Sequence, residues 1–288
     1  MNHTTDSIQT ITSSMNSSSF HPIILSIDGN IGSGKSTLYK DLQEYYHDNT
    51  DICFVPEPVD DWTHVVDGDN VPILTNLYKN TKKYAFRFQM MAYISRLHLL
   101  RQKVKENKYR IIISERSVQT DRNVFAKMLF DDGMIEHDEY QIYNKWFDEF
   151  LDDLYLGGIM YVKADPEICA ERVKFRAREG ETIPLEYLQK CHKYHEDWLE
   201  TNTDKLVIEA NIDTSVTENA SVRDQWVQSV DEWISSKFPD IHNVSNSTEL
   251  PNMAIDKDLT CPGCHPRFQE NQMAHIGPNG CYDEVYGY

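Results

Sequence analysis

Five short apolar runs recur along the chain, at residues 23–27, 52–55, 110–114, 159–162 and 206–208. They are continuous rather than alternating, which predicts strands buried on both faces, as in a parallel sheet. The first run ends at Asp28-Gly29, the second at Pro56 and the third, with three consecutive isoleucines, at Glu115-Arg116. Gly157-Gly158 precede the fourth. Helical periodicity fills the gaps: 36–46, a long amphipathic stretch at 84–105, 184–200 with Pro184 in its first turn, and 222–238. Ile142, Tyr143, Trp146, Phe147, Phe150, Leu151 and Leu154 recur at three- and four-residue spacing and predict one apolar helix face. Strands alternating with helices predict an α/β fold with a doubly wound parallel sheet.

The pattern stops at both ends. Residues 1–21 are rich in Ser, Thr and Asn, and 239–288 trade periodicity for Pro, Gly and Asn. A disordered arm (1–21), a compact domain (22–238) and an irregular tail (239–288) are expected. The arm has neither a basic n-region nor an apolar h-region. It lacks arginine and contains Asp6, a poor mitochondrial presequence, so a cytoplasmic location is expected over a mitochondrial one.

Composition narrows the function. The 288 residues are 40% hydrophobic and 11% aromatic, enough for a sizeable core. No uncharged apolar run reaches the ~18 residues of a membrane span. The 28 basic and 46 acidic side chains leave a net charge of −18, which argues against nucleic acid or an anionic membrane as partner. An anionic ligand would then need a local positive site. The six cysteines are few for this length and do not read as a secreted disulfide framework. Cys261-Pro262-Gly263-Cys264-His265 matches a haem-attachment pattern, and His275 and Cys281 could complete a zinc set. Irregular spacing and a place in the tail favour free thiols instead.

The local positive site is written at 29–36. Gly29-Asn30-Ile31-Gly32-Ser33-Gly34-Lys35-Ser36, followed by Thr37, fits GxxxxGK[ST] between a strand and a helix. Glycines let backbone N–H groups wrap phosphate oxygens, Lys35 brings a compact charge to the outer phosphates, and Ser36 offers a hydroxyl to Mg²⁺. Two other strands end in acids, at Pro56-Glu57-Pro58 and Glu115-Arg116-Ser117. In a parallel sheet both acids reach the P-loop edge, where a carboxylate can position Mg²⁺ or accept a hydroxyl proton. Arg172, Lys174, Arg176 and Arg178 form a dense cationic cluster, read either as a lid over a triphosphate or as a helix face balanced by Glu167 and Glu171.

The motifs in this order, with Phe88-Gln89, Asp121-Arg122 and Ile183-Pro184-Leu185-Glu186-Tyr187-Leu188, resemble the deoxynucleoside kinases of the deoxycytidine/deoxyguanosine kinase group over about 22–235. The resemblance implies transfer of the γ-phosphate of ATP, or another nucleoside triphosphate, to the 5′-hydroxyl of a deoxynucleoside with Mg²⁺. It makes Glu57 the general base, Arg116 the arginine beside the same oxygen, and Glu115 with Ser36 the metal holders. Gln89 would bond the base edge, Trp62 line the base pocket, Tyr78 contact the 3′-hydroxyl and Phe125 stack on the base. Arg176 and Arg178 would be lid arginines. The loop after Arg178 is one residue shorter than the family's, so the sugar contact falls to Glu181, with Glu179 as rival. A homodimer is also implied; the 142–154 stripe would serve as its interface or, equally, as core.

Two positions bear on the base. Arg96 lies two turns along the helix from Gln89, and Asp121 six residues after Glu115. In the resembled family such an Arg and Asp accompany deoxyadenosine, deoxyguanosine or deoxycytidine preference over thymidine. The physics agrees, since an ionised Asp only accepts hydrogen bonds and suits an amino group rather than a carbonyl. Two other functions share some motifs: a nucleoside monophosphate kinase of thymidylate-kinase type, and a non-catalytic kinase-like structural subunit. Cys191, His192 and His195 read as a helix face beside the lid rather than a metal site.

Overall fold

The computed structural model describes residues 21–151, 154–176, 183–214 and 219–239. The expected arm (apart from His21) and the tail from 240 onward lie outside the described residues. Five strands, β1 (Ile23–Asp28), β2 (Ile52–Val55), β3 (Ile111–Glu115), β4 (Leu156–Lys163) and β5 (Lys205–Glu209), form one sheet in the order β2-β3-β1-β4-β5. Every neighbouring pair is parallel, with Leu25 level with Ile113 and Phe54 also level with Ile113 on the far side.

The continuous apolar runs are explained by burial on both faces. Leu25 and Ile27 pack with Leu38 and Leu42 of α1 (Lys35–Tyr45) and with Val230 and Ile234 of α10 (Ala220–Lys237). Ile24 and Ile112 point to the other face, against Tyr93, Leu97 and Leu100 of α4 (Thr81–Glu106) and Tyr143 and Phe147 of α7 (His137–Glu149). Asn80 starts α4 by accepting from the Lys83 N–H.

A third apolar cluster was not legible from periodicity. Two short helices, α2 (Val59–His64) and α3 (Ile73–Lys79), bring Trp62, Ile73 and Leu77 against Ala85 and Phe88 of α4. After β3 the chain makes a turn α5 (Val118–Thr120), a π-helical segment (Asp121–Ala126) and a turn α6 (Lys127–Asp131). Together these build a wall beyond the ends of β2 and β3. The last helices are α8 (Pro166–Arg176) and α9 (Leu185–Glu200).

Two expectations are corrected. The 142–154 stripe is not one helix face: α7 ends at Glu149, Tyr143 and Phe147 are buried, and Ile142 and Trp146 are 45% and 48% exposed. Gly157 and Gly158 lie inside β4 rather than before it. A Cβ on Gly157 would fall 2.3 Å from Ile23 Cγ2, and one on Gly158 2.5 Å from Trp233 Cη2. Their role is to admit neighbours.

The Tyr143 hydroxyl is buried with no hydrogen-bond partner among the described residues. An unmatched buried hydroxyl costs about 1–3 kcal/mol. Tyr143→Phe is therefore expected to raise the thermal unfolding midpoint, with calorimetry as the check.

Candidate active site

The loop between β1 and α1 crosses the carboxyl edge of the sheet, where open α/β sheets bind ligands. Gly32 has φ +82, and a Cβ there would lie 2.6 Å from the Cys169 carbonyl oxygen on α8. The loop is tied on three sides. Asn30 Nδ2 donates to Leu188 O at 2.8 Å, Lys35 Nζ to Asn30 O at 2.7 Å, and Arg172 Nη1 to Ser33 O at 3.1 Å. No side chain caps the start of α1, so its free N–H groups face the loop as an anion cradle. Ser36 Oγ donates to Glu115 Oε1 at 2.6 Å, which joins the predicted metal-holding pair. A hydroxyl and a carboxylate are hard oxygen donors that fit Mg²⁺, with phosphates and water completing the shell.

Beside the cradle lies an ionic network. Arg116 Nη1 donates to Glu57 Oε1 at 2.6 Å, and Arg96 Nη2 reaches the same oxygen at 3.3 Å. Arg96 Nε donates to Asp121 Oδ2 at 2.9 Å and Nη1 to Glu115 O at 2.6 Å. Both arginines and Asp121 are buried, and the Glu57 side chain is 15% exposed. Burial would raise the Glu57 carboxyl, but Arg116, Arg96 and Lys35 outweigh it and hold it at about 2. Glu57 Oε2 accepts no hydrogen bond among the described residues. Arg116 adopts φ 63, a left-handed conformation that a residue with a side chain rarely takes.

A cavity of about 800 Å³ runs past both features. Of the residues expected from sequence, Ile31, Gly32, Gly34, Lys35, Ser36 and Thr37 line its cradle end. Glu57, Trp62, Tyr78, Gln89, Arg96, Glu115, Arg116, Asp121, Phe125 and Arg176 line the rest. Gly29, Asn30 and Ser33 shape the loop without facing the cavity. Arg178, Glu179 and Glu181 lie outside the described residues. Gln89 is 2% exposed, and its Oε1 has no hydrogen-bond partner among the described residues, a buried acceptor on the cavity wall. Trp62 Nε1 donates to Ser95 Oγ at 3.0 Å, which fixes that ring against Phe88. The π-helical segment puts Asp121 and Phe125, four residues apart, on the cavity side together.

Sequence reasoning missed the far end of the cavity. Asn211, Asp213 and Thr214 line it after β5, and Arg172 Nη2 donates to Ile212 O at 3.0 Å. The signal available was position, a loop at the carboxyl end of a parallel strand. Ile168, Glu171, Arg172, Phe175 and Arg176 give α8 a continuous cavity face. Cys191 and His195 are fully buried, and no group of three or more metal-ligating side chains occurs among the described residues.

The deoxynucleoside kinase family model matches residues 25–235. A probable deoxycytidine kinase of fowlpox virus is 35% identical over 222 residues, covering 74% of this chain and 89% of that protein. Deoxycytidine kinase of Homo sapiens is 34% identical over 241 residues, covering 74% and 91%. A mitochondrial deoxyguanosine kinase of Xenopus laevis is 33% identical over 204 residues, covering 64% and 76%. The chain belongs to the deoxynucleoside kinase family. Its reaction is phosphoryl transfer to a deoxynucleoside, with a nucleoside triphosphate as donor. No described helix is long and apolar enough to cross a membrane.

For a deoxynucleoside kinase the state of Lys35 before the donor arrives matters. Burial and then the Arg116 charge lower its ammonium to about 7, against the pull of Glu115 and Glu57. A triphosphate set on that lysine raises the value again, so binding takes up a proton wherever the free lysine is neutral. Uptake should approach roughly one proton per ATP at pH 8 and fall well below that at pH 6. Calorimetry in two buffers of different ionisation enthalpy measures it, and Lys35→Met should abolish the difference.

Proposed function

We propose that the chain transfers the γ-phosphate of ATP to the 5′-hydroxyl of deoxyadenosine, deoxyguanosine or deoxycytidine in preference to thymidine. The observation that carries this reading is one cavity joining a phosphate cradle to a partly buried Glu57–Arg116 pair and a Gln89 Oε1 without a partner among the described residues. In this reading the domain spans 22–238, and a nucleoside monophosphate kinase is disfavoured because a carboxylate, not a second cationic cluster, faces the acceptor.

Glu57 accepts the 5′-hydroxyl proton through Oε2, since Arg116 and Arg96 occupy Oε1. A carboxylate held at about 2 is a weak base in the resting site. That is sufficient if the proton moves late, because the hydroxyl turns acidic only as its bond to phosphorus forms. Arg116, with Lys35, Arg176 and Arg178, stabilises charge on the transferring phosphoryl group. Ser36 and Glu115 hold Mg²⁺, which neutralises the outer phosphates when bound. Gln89 bonds the base edge, Phe125 and Trp62 enclose the ring, and Tyr78 and Glu181 meet the 3′-hydroxyl.

Asp121 spends Oδ2 on Arg96, and no described donor bonds Oδ1. That oxygen suits an exocyclic amino group or a ring N–H and repels a thymine carbonyl. Arg96 beside it crowds the thymine methyl. A second copy of the chain is the proposed partner. Ile94 on α4 and Ile142 and Trp146 on α7 are 49%, 45% and 48% exposed, and Tyr93 OH donates to Trp146 O at 3.0 Å, which ties the two helices together.

Glu57→Gln should lower kcat by ~10²–10⁴ while ATP binding persists. A loss below about threefold would remove Glu57 from the chemistry. Replacing Arg96 with Met and Asp121 with Ala together should raise the thymidine-to-deoxycytidine kcat/KM ratio by about tenfold or more. An unchanged ratio would leave base choice to Gln89 alone.

A further inference from the structure

One buried acid has no part in the transfer step. Asp28, the last residue of β1, is fully buried. Its Oδ2 accepts from Ser26 Oγ and its Oδ1 from Thr120 Oγ1. No cation bonds it directly among the described residues. Burial pushes its carboxyl up, while the two hydroxyls and the more distant Arg116 and Arg96 pull the other way. Such a group is costly to keep unless its contacts matter.

Its contact with Thr120 closes the turn after β3. Thr120 gives its hydroxyl proton to Asp28, so its oxygen is free to accept. It accepts from Ser117 N at 3.3 Å and from Ser117 Oγ at 2.9 Å, and Thr120 N donates back to Ser117 Oγ at 3.1 Å. That capping box starts α5. The residue before the box is Arg116 and the one after it is Asp121, both lining the cavity. Arg116 N donates to Ile27 O at 3.0 Å, and its Nη2 reaches Gly29 O at 3.3 Å. Asp28 thus sits between the two residues that hold Arg116 and anchors the box that follows it.

We propose that Asp28 is a positioning residue: through Thr120 and the capping box it holds Arg116 in its left-handed conformation, with the guanidinium on Glu57. The inference rests on the proposed role of Arg116 at the phosphoryl group. Misplacing such a group without removing it slows the chemical step more than it weakens ligand binding.

Thr120→Val deletes the linking hydroxyl. It should lower kcat roughly 10–100-fold with little change in the KM for ATP. Thr120→Ser keeps the hydroxyl and should stay within about threefold of the parent. If Thr120→Val does not fold, Asp28→Asn reads the same contact, because an amide of the same shape offers one acceptor where two hydroxyls donate. In an Arg116→Ala background, Thr120→Val (or Asp28→Asn) should cause no further loss. A merely structural role would lower the unfolding midpoint and leave kcat unchanged, which overturns the proposal. Additive losses in the double variant would also overturn it. An unchanged kcat in Arg116→Ala would overturn both this inference and the role of Arg116, whereas a loss there with none in Thr120→Val would overturn only the inference.

Discussion

Glu57 keeps its charge although its side chain is only 15% exposed, and it does so because two guanidinium groups share one of its oxygens. Each member of this set would be intolerable alone. Removing one partner of a buried ion pair typically costs about 3–5 kcal/mol, since the other charge is left uncompensated. With Asp121, which holds Arg96, the four side chains come from four places: the loop after β2, the middle of α4, the end of β3 and the π-helical segment. The sheet order makes their meeting possible. β3 lies between β2 and β1, so Glu57 and Arg116 emerge as neighbours and the phosphate loop emerges beside them. Arg96 then reaches across from α4 and binds Asp121, the Glu115 carbonyl and Glu57 at once.

The same network explains how a chain of net charge −18 can receive a triphosphate. Lys35, Arg116, Arg172 and Arg176 all line the one cavity, so positive charge is concentrated where an anion would sit. Repulsion between two of them is visible in Lys35, whose ammonium falls to about 7 with burial first and Arg116 second among the causes. Phosphate charge relieves that repulsion. The resting site is therefore complementary to the ligand and tense without it, a form of preorganisation that needs little rearrangement when charge develops. The left-handed Arg116 is a second store of tension in the same place.

Much of this was legible in the sequence, for identifiable reasons. Strands buried on both faces produce continuous apolar runs, and all five were found within a few residues. The phosphate loop has a rigid spacing because backbone geometry dictates it. Glu57 and Glu115-Arg116 were found because strand ends in a parallel sheet converge. What escaped had no periodic signal. Helices α2 and α3 are shorter than two or three turns, and their apolar residues face a local cluster rather than the sheet. The π-helical segment has no sequence signature, although it aligns Asp121 with Phe125. The 142–154 stripe misled because apolar spacing continued past the end of α7, and because Ile142 and Trp146 are apolar without being core. Asn211, Asp213 and Thr214 belong to an ordinary polar loop whose importance is purely positional.

The most direct test of the central claim is phosphoryl transfer itself. Purified protein would be incubated with labelled ATP, Mg²⁺ and each of the four deoxynucleosides in turn, with the corresponding monophosphates as controls. A site with a Glu57 base and with the Arg96–Asp121 pair and Gln89 lining the same cavity predicts labelled product from deoxyadenosine, deoxyguanosine or deoxycytidine and little from thymidine. Equal or stronger labelling of thymidine would contradict the role given to Arg96 and Asp121, and transfer to monophosphates alone would contradict the assignment of Glu57 as the acceptor's base.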